Sequence, residues 1–247
     1  MDADFPPNML TDIEQFLIED IRREPGKDLY EEVFRHPTFF PLQRRGEMAA
    51  MIRIARSVSP QIVMEIGADK GGGLYHWVKC LPTVKTVIAC EIRGLPYLPA
   101  FAFAFPNVLF QGIPQSSRPV SDNLISPIDV LFIDGDKLGF VKDFDAYLPY
   151  MNPYGVVFLH DITDTYKGGP GEAFATLIRR GYRNDIIVNH DDTNAALRRE
   201  IMGIPPANPH EGWLRHWRGK SCGVGVLWLD GKGGGNSDHF YKAMARK

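Results

Sequence analysis

The middle of the chain alternates short apolar runs, rich in β-branched residues, with stretches of helical length. The runs cover residues 61–66, 84–91, 108–110, 128–133 and 155–160, and the stretches between them cover 72–79, 95–105, 117–124 and 138–150. Runs that stay apolar without alternating are buried on both faces, and helix-length crossovers between them make neighbouring strands parallel. The pattern therefore predicts an open, doubly wound α/β sheet, with ligands at the carboxyl ends of its strands. Asn152-Pro153-Tyr154-Gly155 reads as a turn feeding the fifth strand.

The flanks follow the same logic. Residues 11–24 and 44–58 have helical apolar spacing, with Met48, Met51, Ile52 and Ala55 on one face. Beyond the fifth strand the pattern predicts a helix over 171–180, a strand over 185–189 and a last strand over 222–229. Residues 193–220 are too long for a simple connection and are broken by Pro205, Pro206 and Pro209. The organisation expected is an N-terminal helical extension (1–60), a core (61–230) with an insertion (193–220), and a glycine-rich, flexible tail (231–247).

Composition narrows the class. With 44% hydrophobic and 23% charged residues among 247, the chain matches a globular enzyme and neither a disordered segment nor a coiled coil. A formal net charge of −2 lacks the basic excess of a nucleic-acid binder. Arg44, Arg45, Arg53 and Arg56 read as a solvated helix face. No apolar run approaches the ~18 residues of a membrane span, and the acidic, proline-broken start does not read as a secretory signal. Three widely spaced cysteines, Cys80, Cys90 and Cys222, in apolar contexts suggest reduced core thiols and a cytoplasmic location.

The turn after the first strand carries the first chemistry: Glu65-Ile66-Gly67-Ala68-Asp69-Lys70-Gly71-Gly72-Gly73. Glycines there let the backbone approach a ligand and free a helix N-terminus to face it. A dinucleotide fingerprint would need glycine at position 69, where Asp69 would repel a pyrophosphate. Glu91, ending the second strand, is spaced to hold two ribose hydroxyls. This E-x-G-x-x-x-G-G pattern followed by Ala89-Cys90-Glu91-Ile92-Arg93 resembles the cofactor site of class I S-adenosylmethionine-dependent methyltransferases over roughly residues 44–161 and the last strand. The resemblance implies a Rossmann-like, seven-stranded, mostly parallel sheet with an antiparallel last strand. It implies that Glu65, Gly67, Gly71 and Gly72 line the methionine and ribose side, that Glu91 holds the ribose diol, and that Ile92 packs on adenine. Many relatives carry an acid after the glycine that follows the third strand. Here Gly112 is followed by Ile113, so adenine would meet Ile113 with Gln115 or Ser116 nearby.

The second motif is Phe132-Ile133-Asp134-Gly135-Asp136-Lys137, with Phe158-Leu159-His160-Asp161 ending the next strand. Carboxylates and an imidazole converging at adjacent strand ends repel unless a cation or a proton intervenes. The motif is similar to the metal-dependent catechol and caffeoyl-CoA type O-methyltransferases, which place an Asp at position 134, a Lys at position 137 and an Asp-Asn pair where His160-Asp161 stand. Antibiotic and sugar O-methyltransferases carry a histidine at the place of Lys137. The resemblance implies Asp134, His160 and Asp161 as ligands of Mg²⁺ or another divalent metal, with Asp134 also serving the cofactor. Methyl transfer from a sulfonium has a neutral leaving group, so what is missing at neutral pH is a deprotonated nucleophile. A metal can lower the hydroxyl pKa. Alternatively Lys137, its pKa lowered by desolvation, or His160 acts as base. Against these stands a plain reading, with Lys137 a surface ion-pair partner and His160 a hydrogen-bonded strand end.

Trp213, Arg215, His216 and Trp217 either close over an acceptor or form packing and a homo-oligomer contact. The function expected is O-methylation of a small-molecule hydroxyl, without nucleic-acid or membrane partners. A nucleotide-dependent oxidoreductase and a non-catalytic cofactor-binding protein are the alternatives.

Overall fold

The computed structural model describes residues 43, 45–113, 127–164, 166–187 and 223–232. The expected helices over 11–24 and 117–124, the insertion 193–220 with Trp213, Arg215, His216 and Trp217, the residues Gln115, Ser116 and Cys222, and nearly all of the tail lie outside these residues. Numbered among the described residues, the elements are α1 (Arg45–Ser57), β1 (Ile62–Ile66), α2 (Gly72–Cys80), β2 (Thr86–Cys90), α3 (Leu98–Ala104), β3 (Leu109–Ile113), β4 (Ile128–Ile133), α4 (Phe140–Tyr147), β5 (Met151–His160), α5 (Pro170–Arg179), β6 (Tyr182–Ile187) and β7 (Val224–Lys232). They build a seven-stranded sheet in the order β3-β2-β1-β4-β5-β7-β6. β7 runs antiparallel to both β5 and β6, and the other pairings are parallel. The doubly wound, mostly parallel sheet expected from the sequence is the one observed.

Each central strand buries both faces, which is why its sequence shows no alternation. Val63, Val130, Phe132, Val156 and Phe158 join the core under α1 and α2, with Met48, Met51, Ile52, Ala55 and Trp77. Met64, Ile66, Leu131, Ile133, Val157 and Leu159 join the opposite core, under α4 and α5, with Phe140, Phe144 and Phe174. The strand period of two then fixes the polar residues. Glu65, between Met64 and Ile66, falls on the α1/α2 side, and so does His160, two residues beyond Phe158. Because Ile133 pairs with Leu159, Asp134 and His160 leave adjacent strands side by side.

Boundaries shift where turn chemistry competes with the ladder. β5 begins at Met151, four residues before the expected start, and its register with β4 is interrupted between Ile128 and Val130. The Asp129 carboxylate accepts from Asn152 Nδ2 at 2.8 Å, and Asn152 Oδ1 accepts from the Tyr154 N–H at 2.9 Å. The expected turn is thus absorbed into an irregular strand start. Arg53 and Arg56 are exposed, as a solvated face requires. Arg56 also donates twice to the Cys80 carbonyl, at 3.1 and 3.0 Å, closing the end of α2.

Candidate active site

The turn after β1 is built by left-handed backbone. Gly67 has φ +87°, Asp69 +41° and Gly71 +80°. Position 67 admits no side chain, since a Cβ would lie 2.5 Å from the Asp134 carbonyl oxygen and 2.9 Å from the Gly135 nitrogen. The turns after β1 and β4 are therefore in contact through Gly67. Its N–H and that of Ala68 donate to the Cys90 carbonyl at 2.9 and 3.2 Å, tying the turn to the end of β2. Gly71 and Gly72 open α2. A Cβ at Gly71 would meet the rings of Tyr97 and Phe101.

Glu91, 8% exposed, accepts from the backbone N–H groups of Asp69 at 2.9 Å and Arg93 at 3.0 Å. Two amide donors fix its carboxylate at the strand end and leave it further acceptor capacity for a ligand's hydroxyls. Ile92 is 73% exposed beside it, while Ile113 is half-buried against the α4-side core. Glu65 sits deeper than a cofactor-lining role alone requires. It is 2% exposed, accepts from Trp77 Nε1 at 2.9 Å and lies against Gly73. Burial, reinforced by the Asp134 charge, pushes its pKa well up, against the opposing influence of the Trp77 bond and His160.

At the ends of β4 and β5 the sequence-selected residues converge. Lys137 Nζ contacts Asp134 Oδ1 at 2.5 Å and Asp161 Oδ2 at 2.6 Å. His160 Nδ1 stands 3.1 Å from Asp134 Oδ1 and 3.4 Å from Asp161 Oδ1. Asp161 has φ +57°, an unfavourable backbone for a non-glycine residue. Burial pushes Asp134 up, but the His160 hydrogen bond and the His160 and Lys137 charges outweigh it and hold the carboxyl below its ordinary value. Burial pushes Lys137 down, yet its pairing with Asp134 and Asp161 wins, so its pKa is raised. That is opposite to the lowered pKa expected of a lysine base. Desolvation would lower it, and two carboxylates in contact are the stronger influence.

Two residues of this cluster were not singled out by the sequence. Gln43 Nε2 donates to Asp134 Oδ2 at 2.8 Å. Glu47, fully buried, accepts from the Gly223 N–H at 2.9 Å and lies 3.9 Å from His160 Nε2. The available signal was an acid directly beside the apolar face of α1: a carboxylate at a buried helix position calls for a partner.

Asp134, His160 and Asp161 offer ligand atoms within 4.8 Å of one another, a spacing that could hold a metal ion. Two carboxylates and an imidazole suit a transition metal better than Mg²⁺. The Lys137 ammonium, however, already contacts the two carboxylates a metal would need. With Lys137 so seated the residues do not fit a metal ion. The S-adenosylmethionine side fits better: a carboxylate fixed at the end of β2 faces the same strand ends as a glycine turn that opens a helix. Among the described residues no helix is long and apolar enough to cross a membrane.

No protein-family model and no curated protein matches the chain. Solved structures do. A Staphylococcus aureus protein assigned as a caffeoyl-CoA O-methyltransferase aligns at 15% identity and TM-score 0.53, over 76% of this chain and 85% of that one. A Streptomyces achromogenes O-methyltransferase involved in tomaymycin synthesis, in complex with SAM, aligns at 13% identity and TM-score 0.49, over 89% and 96%. A Bacillus cereus O-methyltransferase in complex with SAH aligns at 13% and 0.48, over 88% and 97%. Likeness at this level speaks for architecture, and of the three the Staphylococcus aureus match carries it: the chain has the class I methyltransferase fold.

Proposed function

We propose that this chain transfers a methyl group from S-adenosylmethionine to a hydroxyl of a small molecule. The observation that supports this best is the contact between two turns. The glycine turn beside Glu91 touches, through Gly67, the turn that carries Asp134 and Lys137. A donor held by the first turn would present its methyl group to an acceptor held at the second. When bound, S-adenosylmethionine supplies an electrophilic methyl on a sulfonium and leaves as a neutral thioether, so the protein's task is the acceptor's proton. In this reading Glu91 grips the ribose diol, Ile92 covers the adenine, and Gly67, Gly71 and Gly72 admit the methionine end. Glu65 supports the turn from beneath through Trp77. Lys137 and Asp161 are the least buried members of the cluster, at 32% and 22% side-chain exposure, so the acceptor hydroxyl meets them first. Asp161 accepts its hydrogen bond and Lys137 lends positive charge to the oxygen as the proton leaves. That proton passes to the Asp161 carboxylate, while His160, whose Nδ1 donates to Asp134, holds that aspartate in place, with Glu47 behind it and Gln43 bracing Asp134.

Calorimetry tests the reading. The parent protein should bind S-adenosylhomocysteine. Replacing Glu91 by Ala removes two charge-assisted hydrogen bonds, each worth about 1.5–3 kcal/mol before compensation, and should weaken binding at least tenfold. Unchanged affinity in Glu91→Ala would overturn the ribose assignment, and tight NAD binding by the parent would overturn the function.

A further inference from the structure

We propose that the Lys137 ammonium is the resident cation of the Asp134–His160–Asp161 cluster, taking the place of a divalent metal and excluding one. Three observations carry this. First, Nζ contacts one oxygen of each carboxylate, Asp134 Oδ1 and Asp161 Oδ2, at 2.5 and 2.6 Å. A divalent ion bound to the same carboxylates would sit about 2.0–2.6 Å from their oxygens. It would thus stand within a few ångströms of a positive charge already paired to them. Second, Lys137 is anchored on the turn three residues after Asp134, and its ammonium also lies 5.6 Å from the centre of the Phe140 ring, a cation–π contact that favours the inward position. Third, the donor set is one carboxylate short of an all-oxygen metal site. His160 stands beside the pair with Nδ1 toward both aspartates, and Glu47, a further carboxylate close to His160, is engaged by the Gly223 amide.

The consequence is a trade: metal and Lys137 compete for the same oxygens, so removing the amine should create a metal site. The inference rests on the geometry of the cluster and not on methyl transfer, so its failure would leave the proposed function standing. The experiment is titration of the purified full-length chain with Mn²⁺ alone, read by calorimetry. Lys137→Met and Lys137→Gln are measured with the parent, with circular dichroism reporting the fold of each. Expected is Mn²⁺ binding at least tenfold tighter in the folded Lys137 variants than in the parent, with the gain lost when Asp134→Asn is added. The parent measurement also stands alone: tight Mn²⁺ binding that Asp134→Asn removes would overturn the proposal even if both lysine variants failed to fold. A folded Lys137 variant that gains no Mn²⁺ affinity would overturn it equally.

Discussion

Asp134 is where a substitution should report most directly on the cluster, and Asp134→Asn isolates charge from shape. Asp134 Oδ2 accepts from Gln43 at 2.8 Å, while Oδ1 meets Lys137 at 2.5 Å and His160 at 3.1 Å. An asparagine keeps Oδ1 in place. Its new Nδ2 would face Gln43 Nε2, donor to donor, but Gln43 Oε1 is buried without a partner. Turning the Gln43 amide over restores that bond. What is lost is the negative charge opposite Lys137 and His160. Breaking a fully buried pair costs about 3–5 kcal/mol. The Lys137 side chain is one-third exposed, so solvent screening reduces this, and about 2 kcal/mol is expected. At about 2–4 °C per kcal/mol for a chain of this size, Tm should fall by about 4–8 °C. Asp134→Ala, which also strands Gln43, should fall further. A double-mutant cycle with Lys137→Met should show about 1–2 kcal/mol of coupling. The pH dependence follows from the shifts. Asp134 titrates lower in the folded chain, so its contribution is present above the unfolded value near 4 and lost as pH falls through the folded one. Lys137 titrates higher, so its contribution is present below its ordinary range and lost as pH rises through the folded value. The Asp134 and Lys137 shares of the penalty in Asp134→Asn should therefore be level between about pH 6 and 9. An unchanged Tm in Asp134→Asn, or zero coupling to Lys137, would refute the reasoning.

Gly67→Ala should lose about 1–2 kcal/mol for its left-handed backbone and more for the Cβ driven against the Asp134 carbonyl. Gly94→Ala, at φ +91° with nothing within 4 Å, carries only the first cost. Thermal unfolding should separate the two, and equal Tm values would contradict the contact between the turns. Burial pushes the Cys90 thiol up to about 12, the Tyr147 hydroxyl opposing and Asp143 adding, so native protein at pH 8 should resist alkylation there. The folded state keeps a proton that the unfolded chain gives up near pH 8.5, so this contribution is full below that pH and fades as pH climbs toward 12. Peptide mapping after alkylation checks it, and labelling of Cys90 in the native protein at the rate of a free thiol would contradict it.

The sheet was legible because its code is local. Apolar runs such as Ile128–Ile133, separated by helix-length stretches, can bury both faces only in a covered parallel sheet. The glycine turn was legible for a related reason, since positive φ at Gly67 and Gly71 constrains residue type at those very positions. Glu91, Asp134, His160 and Asp161 stood out as polar groups directly at the ends of apolar strands. What the sequence could not decide was pairing across distance. Gln43 reaches Asp134 over 91 positions, and Glu47 meets the Gly223 amide over 176. No periodicity records such separations. The charge state of Lys137 belongs to the same class. Burial alone would lower its pKa, and the contacts with Asp134, joined by Asp161 from the neighbouring strand end, reverse the sign. Strand period and turn residues thus determined where the polar groups emerge, while tertiary packing decided which of them meet, and so which one carries the positive charge.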